Sequence, residues 1–428
     1  MKIFLLSPCS FRGVLLPDFW KFTIFLILFL AILAIAVLLR FRVMIGLAIL
    51  AAGAVMWILN DRSLATLWSS AVETATLPRT YDLIFALYFV MCLEVQLRKS
   101  GTLKGMVEAL NRLFSSSRIT LAVMPAFLGL LPSLGGARFS APIVQAASEG
   151  MNISPARKAS INYYFRHVFE TSSPTVPGML LACAIAGIHL SDLVLHLIWF
   201  AAATFIVGWF VLLAPLKGED HVKKEVSTGA SRLTDFGNVV LAISPVVLNI
   251  LLMLIFNMPA GIAMGISVLA LIPTFYFLKR PVPIKDIFLE AFDRKLLLNV
   301  VMILYFISLL SGTGVLDETL AALKALPLPT PVIFAMLSVL VGLLTGMSQG
   351  YIAMAMPICA AIAPGSLTYA GMAMVFGCIG QMLTPVHLCF TISVDYFKAD
   401  FFQSFKQIFI CEAILAVIFS AWTYFTWA

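Results

Sequence analysis

The run Arg166-His167-x-x-Glu170-Thr171-Ser172-Ser173 sets a guanidinium, an imidazole, a carboxylate and three hydroxyls side by side in an otherwise apolar part of the chain. Positions i, i+3 and i+4 share one face of a helix, so Arg166, His167 and Glu170 are expected to point together. Ionisable groups in apolar surroundings are costly and mark ion or substrate paths. One chemistry is an anion drawn to the Arg138 guanidinium while Glu170 and His167 carry coupling protons or an ion. The alternative is an internal salt bridge, Glu170 with Arg166 or Arg138, that only fixes a bend. Much later, His387 follows Thr384-Pro385 as the ionisable group of its stretch, and the titration range of imidazole suits proton coupling. A His-x-x-Glu pair can also ligate metal, but no third ligand lies nearby in sequence, so no metal is expected.

Two catalytic patterns are absent. The chain has no His-Glu-x-x-His and no Gly-x-x-x-x-Gly-Lys-Ser/Thr, so metalloprotease and ATP-driven pump chemistry lose their usual residues. No catalytic residue and no enzyme activity are assigned, and an intramembrane enzyme stays only as a remote alternative. The seven cysteines form no CxxC pair. They read as small apolar residues, with neither a disulfide framework nor a zinc site.

The elements that must hold these groups follow from composition. Of 428 residues, 61% are hydrophobic and 11% charged, against about 45–50% and about 25% in soluble domains. That excludes a soluble enzyme, a disordered chain and a nucleic-acid binder, and nucleic acid is not an expected partner despite the net charge of +7. The fold class is an all-α membrane protein with the lipid bilayer as its surroundings. Apolar runs near 22–39, 43–59, 81–98, 155–189, 193–215, 237–256, 260–278, 295–311, 366–393 and 405–427 give about ten transmembrane helices at roughly 20 residues each. Residues 1–20 read as a loose leader and 216–236 as a charged cytoplasmic loop. Thr102–Arg118 and Leu316–Leu326 read as amphipathic connecting arms, and Glu412 as a residue that snorkels to the interface.

Two segments, 119–147 and 331–363, do not fit simple spans. Each has short apolar arms around a polar, Gly-rich centre: Pro132-Ser133-Leu134-Gly135-Gly136-Ala137-Arg138 and Thr345-Gly346-Met347-Ser348-Gln349-Gly350. At 1.5 Å per residue such arms cannot cross about 30 Å, so both are read as re-entrant helical hairpins. Each is followed by a broken helix, 155–189 and 366–393, interrupted at Pro174 and Pro385. Gly129-Leu130-Leu131 and Gly342-Leu343-Leu344 precede the two tips in matching order. The halves 21–215 and 237–428 therefore read as repeats of inverted topology, the architecture of secondary transporters. Placing the Arg40/Arg42 turn in the cytoplasm collects most of the 28 basic residues there, as the positive-inside rule requires. Both termini then face out of the cytoplasmic (inner) membrane.

Non-helical backbone at membrane depth is tolerated only where it lines protein or water. Expected substrate-binding groups are Ser133, Gly135, Gly136, Arg138 and Ser140 at the first tip, and Thr171, Ser172 and Ser173 in the first break. Gly346, Ser348 and Gln349 at the second tip, with Gln381 and Thr384 in the second break, complete the set. His167, Glu170 and His387 are the expected ion- or proton-coupling groups. Asn162, Asn249 and Asn299 read as interhelical hydrogen bonders.

The order span, hairpin, broken helix, repeated with inversion over residues 20–428, resembles the ion transporter superfamily of divalent-anion/sodium symporters and citrate, gluconate and arsenite permeases. Pro132-Ser133-Leu134-Gly135-Gly136-Ala137-Arg138-Phe139-Ser140-Ala141-Pro142, with Arg166-His167-x-x-Glu170-Thr171-x-x-Pro174, most resembles the membrane family named domain of unknown function 401. The resemblance implies a scaffold domain that holds a homodimer and a transport domain that moves like an elevator, with tips and breaks holding substrate and ion. It carries over the place of the site, not its substrate. The function expected is secondary transport of a small anionic substrate, an organic acid or oxyanion, coupled to H+ or Na+. Its rival is a cation/proton antiporter with Glu170 and His167 at the ion site. No cofactor is expected beyond Na+ as one choice of coupling ion.

Overall fold

The computed structural model describes residues 17–41, 43–113, 116–130, 136–216, 232–325, 327–385 and 387–426, and the side chains of several residues inside helices, Gly136 and Arg138 among them, stay outside that description. The described residues are helical and contain no strand. In chain order the first ten helices are α1 (Pro17–Arg40), α2 (Ile45–Asn60), α3 (Leu64–Thr76), α4 (Pro78–Lys99), α5 (Thr102–Leu113), α6 (Ser117–Gly129), α7 (Gly136–Ala147), α8 (Pro155–Arg166), α9 (Pro177–Ala186) and α10 (Leu190–Gly208, continued by a π turn at Trp209–Leu213). The second ten are α11 (Arg232–Phe256), α12 (Ala260–Phe277), α13 (Ile284–Glu290), α14 (Arg294–Gly312), α15 (Val315–Lys324), α16 (Thr330–Thr345), α17 (Ser348–Ile362), α18 (Leu367–Met382), α19 (Leu388–Phe397) and α20 (Phe401–Thr426).

Six of these are long and apolar enough to cross a membrane: α4, α10 with its π turn, α11 from Thr234, α12, α14 and α20. The protein is a multi-pass helical membrane protein. Element order repeats between the halves. The helices that begin at Thr102, Ser117, Gly136, Pro155, Pro177 and Leu190 have counterparts that begin at Val315, Thr330, Ser348, Leu367, Leu388 and Phe401. Serines start both broken helices. Ser154 Oγ accepts from the Arg157 N–H and Ser366 Oγ from the Tyr369 N–H, satisfying donors that a helix start leaves orphaned.

Packing sorts the helices into two groups that each draw on both halves. α1–α5 pack with α11–α15, chiefly through α4 on α12, α5 on α11 and α14 on α2. α6–α10 pack with α16–α20, chiefly through α9 on α17, α8 on α19 and α20, and α10 on α18. Interhelical polar contacts hold the first group. Gly46 N–H donates to Asn299 Oδ1 (2.9 Å), and Ser267 Oγ donates to Asn249 Oδ1 (3.1 Å). Both asparagines thus play the part expected of them.

Four boundaries differ from the sequence reading. α1 already includes residues 17–20 of the expected leader, because the apolar run pulls its polar flank into one continuous helix; residues 1–16 lie outside the described ones. α11 begins at Arg232, so residues 232–236 of the expected loop are helical. The arm Thr102–Arg118 is divided: α5 ends at Leu113 and Ser116 caps a new helix, α6, that carries Ser117 and Arg118. α3, absent from the sequence reading, fills the turn between α2 and α4 and packs on α14.

Candidate functional site

The site begins with how each half bends its chain. α8 stops at Arg166, and residues 167–176 run as successive tight turns, with Glu170 N–H on the His167 carbonyl and Ser173 N–H on the Phe169 carbonyl. Pro177, at the first position of α9, restarts the helix, where its missing N–H is harmless. α18 stops at Met382, Pro385 lies in the gap, and His387 caps α19. The common helix face expected for Arg166, His167 and Glu170 therefore does not exist, because the helix ends at Arg166 and Glu170 lies in the break. Among the described residues no ion pair joins Glu170 to Arg166.

The second tip is tighter than its sequence suggests. α16 runs through Thr345, Gly346 takes the left-handed conformation (φ 64°), and α17 starts at Ser348. Only Gly346 and Met347 are non-helical, and Ser348, Gln349 and Gly350 form the first turn of α17, since a glycine at positive φ can reverse the chain within two residues. Ser348 is buried and packs on Gly178, at the start of α9, so the second tip touches the exit of the first break. Gln349 is half-buried. In the first hairpin, Ser133 and Gly135 lie outside the described residues. Gly136 opens α7 and Arg138 falls in its first turn. Ser140 is fully buried, with its hydroxyl near the Ala137 carbonyl (3.5 Å).

The two breaks meet through their imidazoles. His167 Nε2 lies 3.1 Å from His387 Nε2, with the ring centroids 4.9 Å apart and the planes at 74°. Each ring is held from behind: His167 Nδ1 is 2.8 Å from the Tyr163 carbonyl oxygen and His387 Nδ1 is 2.7 Å from that of Gly346. Tyr163 packs its ring against both imidazoles, at 4.9 and 5.3 Å, and its hydroxyl donates to the Met382 carbonyl. Asn162 Nδ2 donates to the Ala137 carbonyl (3.2 Å) and to Ser393 Oγ (2.9 Å), tying α8 to α7 and α19.

Charge surrounds this contact. Arg166 is buried and donates from Nη1 to the Leu128 carbonyl (3.3 Å). Its guanidinium lies next to Cys389, and the Glu170 carboxylate is within electrostatic reach of His387 and Cys389. Hydroxyls divide into used and unused. Ser173 Oγ is 2.9 Å from Thr175 Oγ1, which itself donates to the Leu130 carbonyl (2.7 Å), so Ser173 fastens the break. Among the described residues, Ser172 Oγ in the first break and Gln381 Oε1, which lies in the last turn of α18 and not in the second break as expected, are buried with no hydrogen-bond partner. Thr384 is buried.

Two residues escaped the sequence reading. Glu412, expected to snorkel, is 3% exposed; α20 turns it inward, where it lines a cavity of about 10 Å³ with His167, Thr171, Tyr164, Thr204 and Cys378. That is room for about one water molecule. Cys389, taken as an apolar filler, has its sulfur grouped with one ring nitrogen of His167 and one of His387, all within 4.8 Å of one another. No local spacing signals it, because His167 is 220 residues from His387. A larger cavity, about 310 Å³, lies between α4, α9 and the α11–α12 turn and is lined by none of these residues.

Three comparisons place the chain among known proteins. Residues 23–426 match the family described as Protein of unknown function (DUF401). No curated protein matches the chain. Among solved structures, the YdaH transporter of Alcanivorax borkumensis, whose structure is described as having an unusual topology, is similar with a TM-score of 0.59 and 14% identity; the match covers 92% of this chain and 99% of that one. The chain belongs to the DUF401 family, and it has a transporter-like fold.

Proposed function

We propose that this DUF401 protein is a secondary transporter that moves a small anion, an organic acid or oxyanion, across the cytoplasmic (inner) membrane by elevator-like alternating access, in symport with H+ or Na+. The observation that carries the reading is the pair of polar atoms, Ser172 Oγ in the first break and Gln381 Oε1 in the last turn of α18, buried without a hydrogen-bond partner among the described residues, together with the buried Arg166 that ends α8 at the entrance to the first break. An unpaired buried polar atom costs about 1–3 kcal/mol, and a hydrated or hydroxylated anion would remove that cost. A guanidinium suits carboxylate and phosphate-like oxyanions. Thr171, Ser348, Gln349 and Thr384 stand close in the chain to this junction as further donors.

In this reading α1–α5 with α11–α15 form the scaffold of a homodimer, and α6–α10 with α16–α20 carry the site. The repeats are inverted, and the arms α6/α7 and α16/α17 enter from opposite faces as re-entrant hairpins. All four arms have 12–16 residues, short of the roughly 20 needed to span. Two carboxylates suit the coupling cation: Glu170 in the break and Glu412 in the water-sized cavity with Thr171. A buried carboxylate needs a proton or a cation beside it, and either supplies the charge that accompanies the anion.

The test is thermal unfolding of the purified protein against carboxylates, sugar acids and oxyanions, with and without Na+. A ligand stabilises by RT ln(1 + [L]/Kd), about 2.7 kcal/mol at a hundredfold excess over Kd. One anion class should raise the midpoint, and Ser172→Ala and Gln381→Ala should blunt that rise while leaving the unliganded midpoint near wild type. Stabilisation by cations alone would replace this reading with the antiporter built on Glu170 and His167.

A further inference from the structure

The two imidazoles constrain each other's protons. A carbonyl oxygen only accepts hydrogen bonds, so His167 Nδ1 on Tyr163 O and His387 Nδ1 on Gly346 O must both carry hydrogen. Each neutral ring then turns a bare lone pair outward from Nε2, and the two Nε2 atoms face each other at 3.1 Å. Lone pairs at that distance repel unless a cation stands between them. Ring placement separates the two kinds of cation. A shared proton favours a near-linear N–H···N bond, which with about 1.15 Å from ring centre to nitrogen would hold the centroids about 5.4 Å apart. The observed 4.9 Å is shorter, so the ring axes bend away from that line. Axes that converge symmetrically at these distances meet about 2 Å from each nitrogen, the usual Zn–N length, with an N–Zn–N angle of about 100°.

We propose that His167 Nε2, His387 Nε2 and Cys389 Sγ bind one Zn2+ ion at the junction of the two helix breaks. Cys389 supplies the third donor, its sulfur grouped with one ring nitrogen of each histidine within 4.8 Å. Thiolate with imidazole selects Zn2+ over the oxygen-seeking Na+, Mg2+ and Ca2+. The backbone carbonyls behind both Nδ1 atoms are the outer partners that metal-bound histidines use to fix tautomer and orientation. Tyr163, packed on both rings, restrains their rotation. Arg166 against the sulfur and Glu170 within electrostatic reach leave the loaded site with a net positive charge. Three protein ligands leave a fourth position open, as in zinc sites that take an exogenous ligand; resting on the carrier reading, that ligand is the transported anion. The ion would also join the two breaks, so that the halves move as one body.

Equilibrium dialysis of the chelator-treated, tag-free protein against Zn2+, and optical titration with Co2+ as a spectroscopic substitute, test the site. The expected result is one ion per chain, tetrahedral d–d bands and a thiolate-to-cobalt charge-transfer band, with the d–d bands shifting on addition of azide. Cys389→Ser should abolish the charge-transfer band. His167→Gln and His387→Gln should each weaken binding by more than the 10- to 100-fold typical of losing an outer partner. Cys92→Ser, in α4, should bind like wild type. Gel-filtration and circular-dichroism profiles that match wild type establish that the variants are folded. Failure of the folded wild type to bind a stoichiometric ion, or a charge-transfer band that survives Cys389→Ser, overturns the proposal. Anion-dependent stabilisation without metal would sink the zinc site and leave the carrier, whereas metal binding with no response to any anion would do the reverse.

Discussion

The two hairpin–break junctions share one backbone plan and differ in chemistry. In the first, Gly129 of α6 lies against the Arg166 carbonyl at the end of α8; in the second, Gly342 of α16 lies against the Gly377 carbonyl of α18. In each, the break donates one side-chain hydrogen bond to a carbonyl near the hairpin tip. Thr175 Oγ1 does this for Leu130 and His387 Nδ1 for Gly346, both at 2.7 Å. A hydroxyl and an imidazole thus hold equivalent places. The hydroxyl is spent on the fastening, whereas the imidazole keeps a second nitrogen that reaches the other half. The backbone contact is alike in the two junctions, and the type of residue that fastens each decides whether a further donor is left over.

The sharpest way to break this comparison is to fill the backbone contacts. Gly129→Ala and Gly342→Ala each drive a Cβ into a carbonyl oxygen, and overpacking of this kind costs about 1–3 kcal/mol or more. Both should lower the thermal midpoint in detergent by similar amounts; loss from only one would mean that the junctions differ in rigidity as well as in chemistry. Next in size is Thr175→Val, which keeps the shape and leaves the Leu130 carbonyl without its donor, at about 1–3 kcal/mol. Its effect should show in stability and protease sensitivity with metal binding unchanged, because this fastener carries no ligand. The smallest expected effect is at the caps. Ser154→Ala and Ser366→Ala should each cost about 1 kcal/mol, read as matching small shifts in midpoint. An additive double variant would show that α8 and α18 start independently.

Much of the scaffold was legible along the chain. The apolar runs of α4, α10, α12, α14 and α20 are long, and their lengths translate directly into spans. Gly129 and Gly342, and Pro174 and Pro385, recur in the same order along the chain, and the helix interruptions near them were legible as well. Tip geometry was less so. Ser348-Gln349-Gly350 has the composition of a loop, yet one left-handed glycine completes the turn and lets those residues start a helix. Glu412 carries no local mark of burial, because the direction an apolar helix turns its single carboxylate depends on what packs against it.

By itself, the sequence determined a membrane-embedded helical chain whose helices are interrupted near Pro174 and Pro385, with ionisable groups gathered at the interruptions. Those properties follow from residue type and spacing, which act over a few turns of helix. Only the tertiary structure decided that His167, His387 and Cys389 share one place, that Arg166 faces Cys389 rather than pairing with Glu170, and that Glu412 faces inward. The physical reason is distance along the chain: these contacts join segments about half the protein apart, and only the packing of α8, α18, α19 and α20 brings them together.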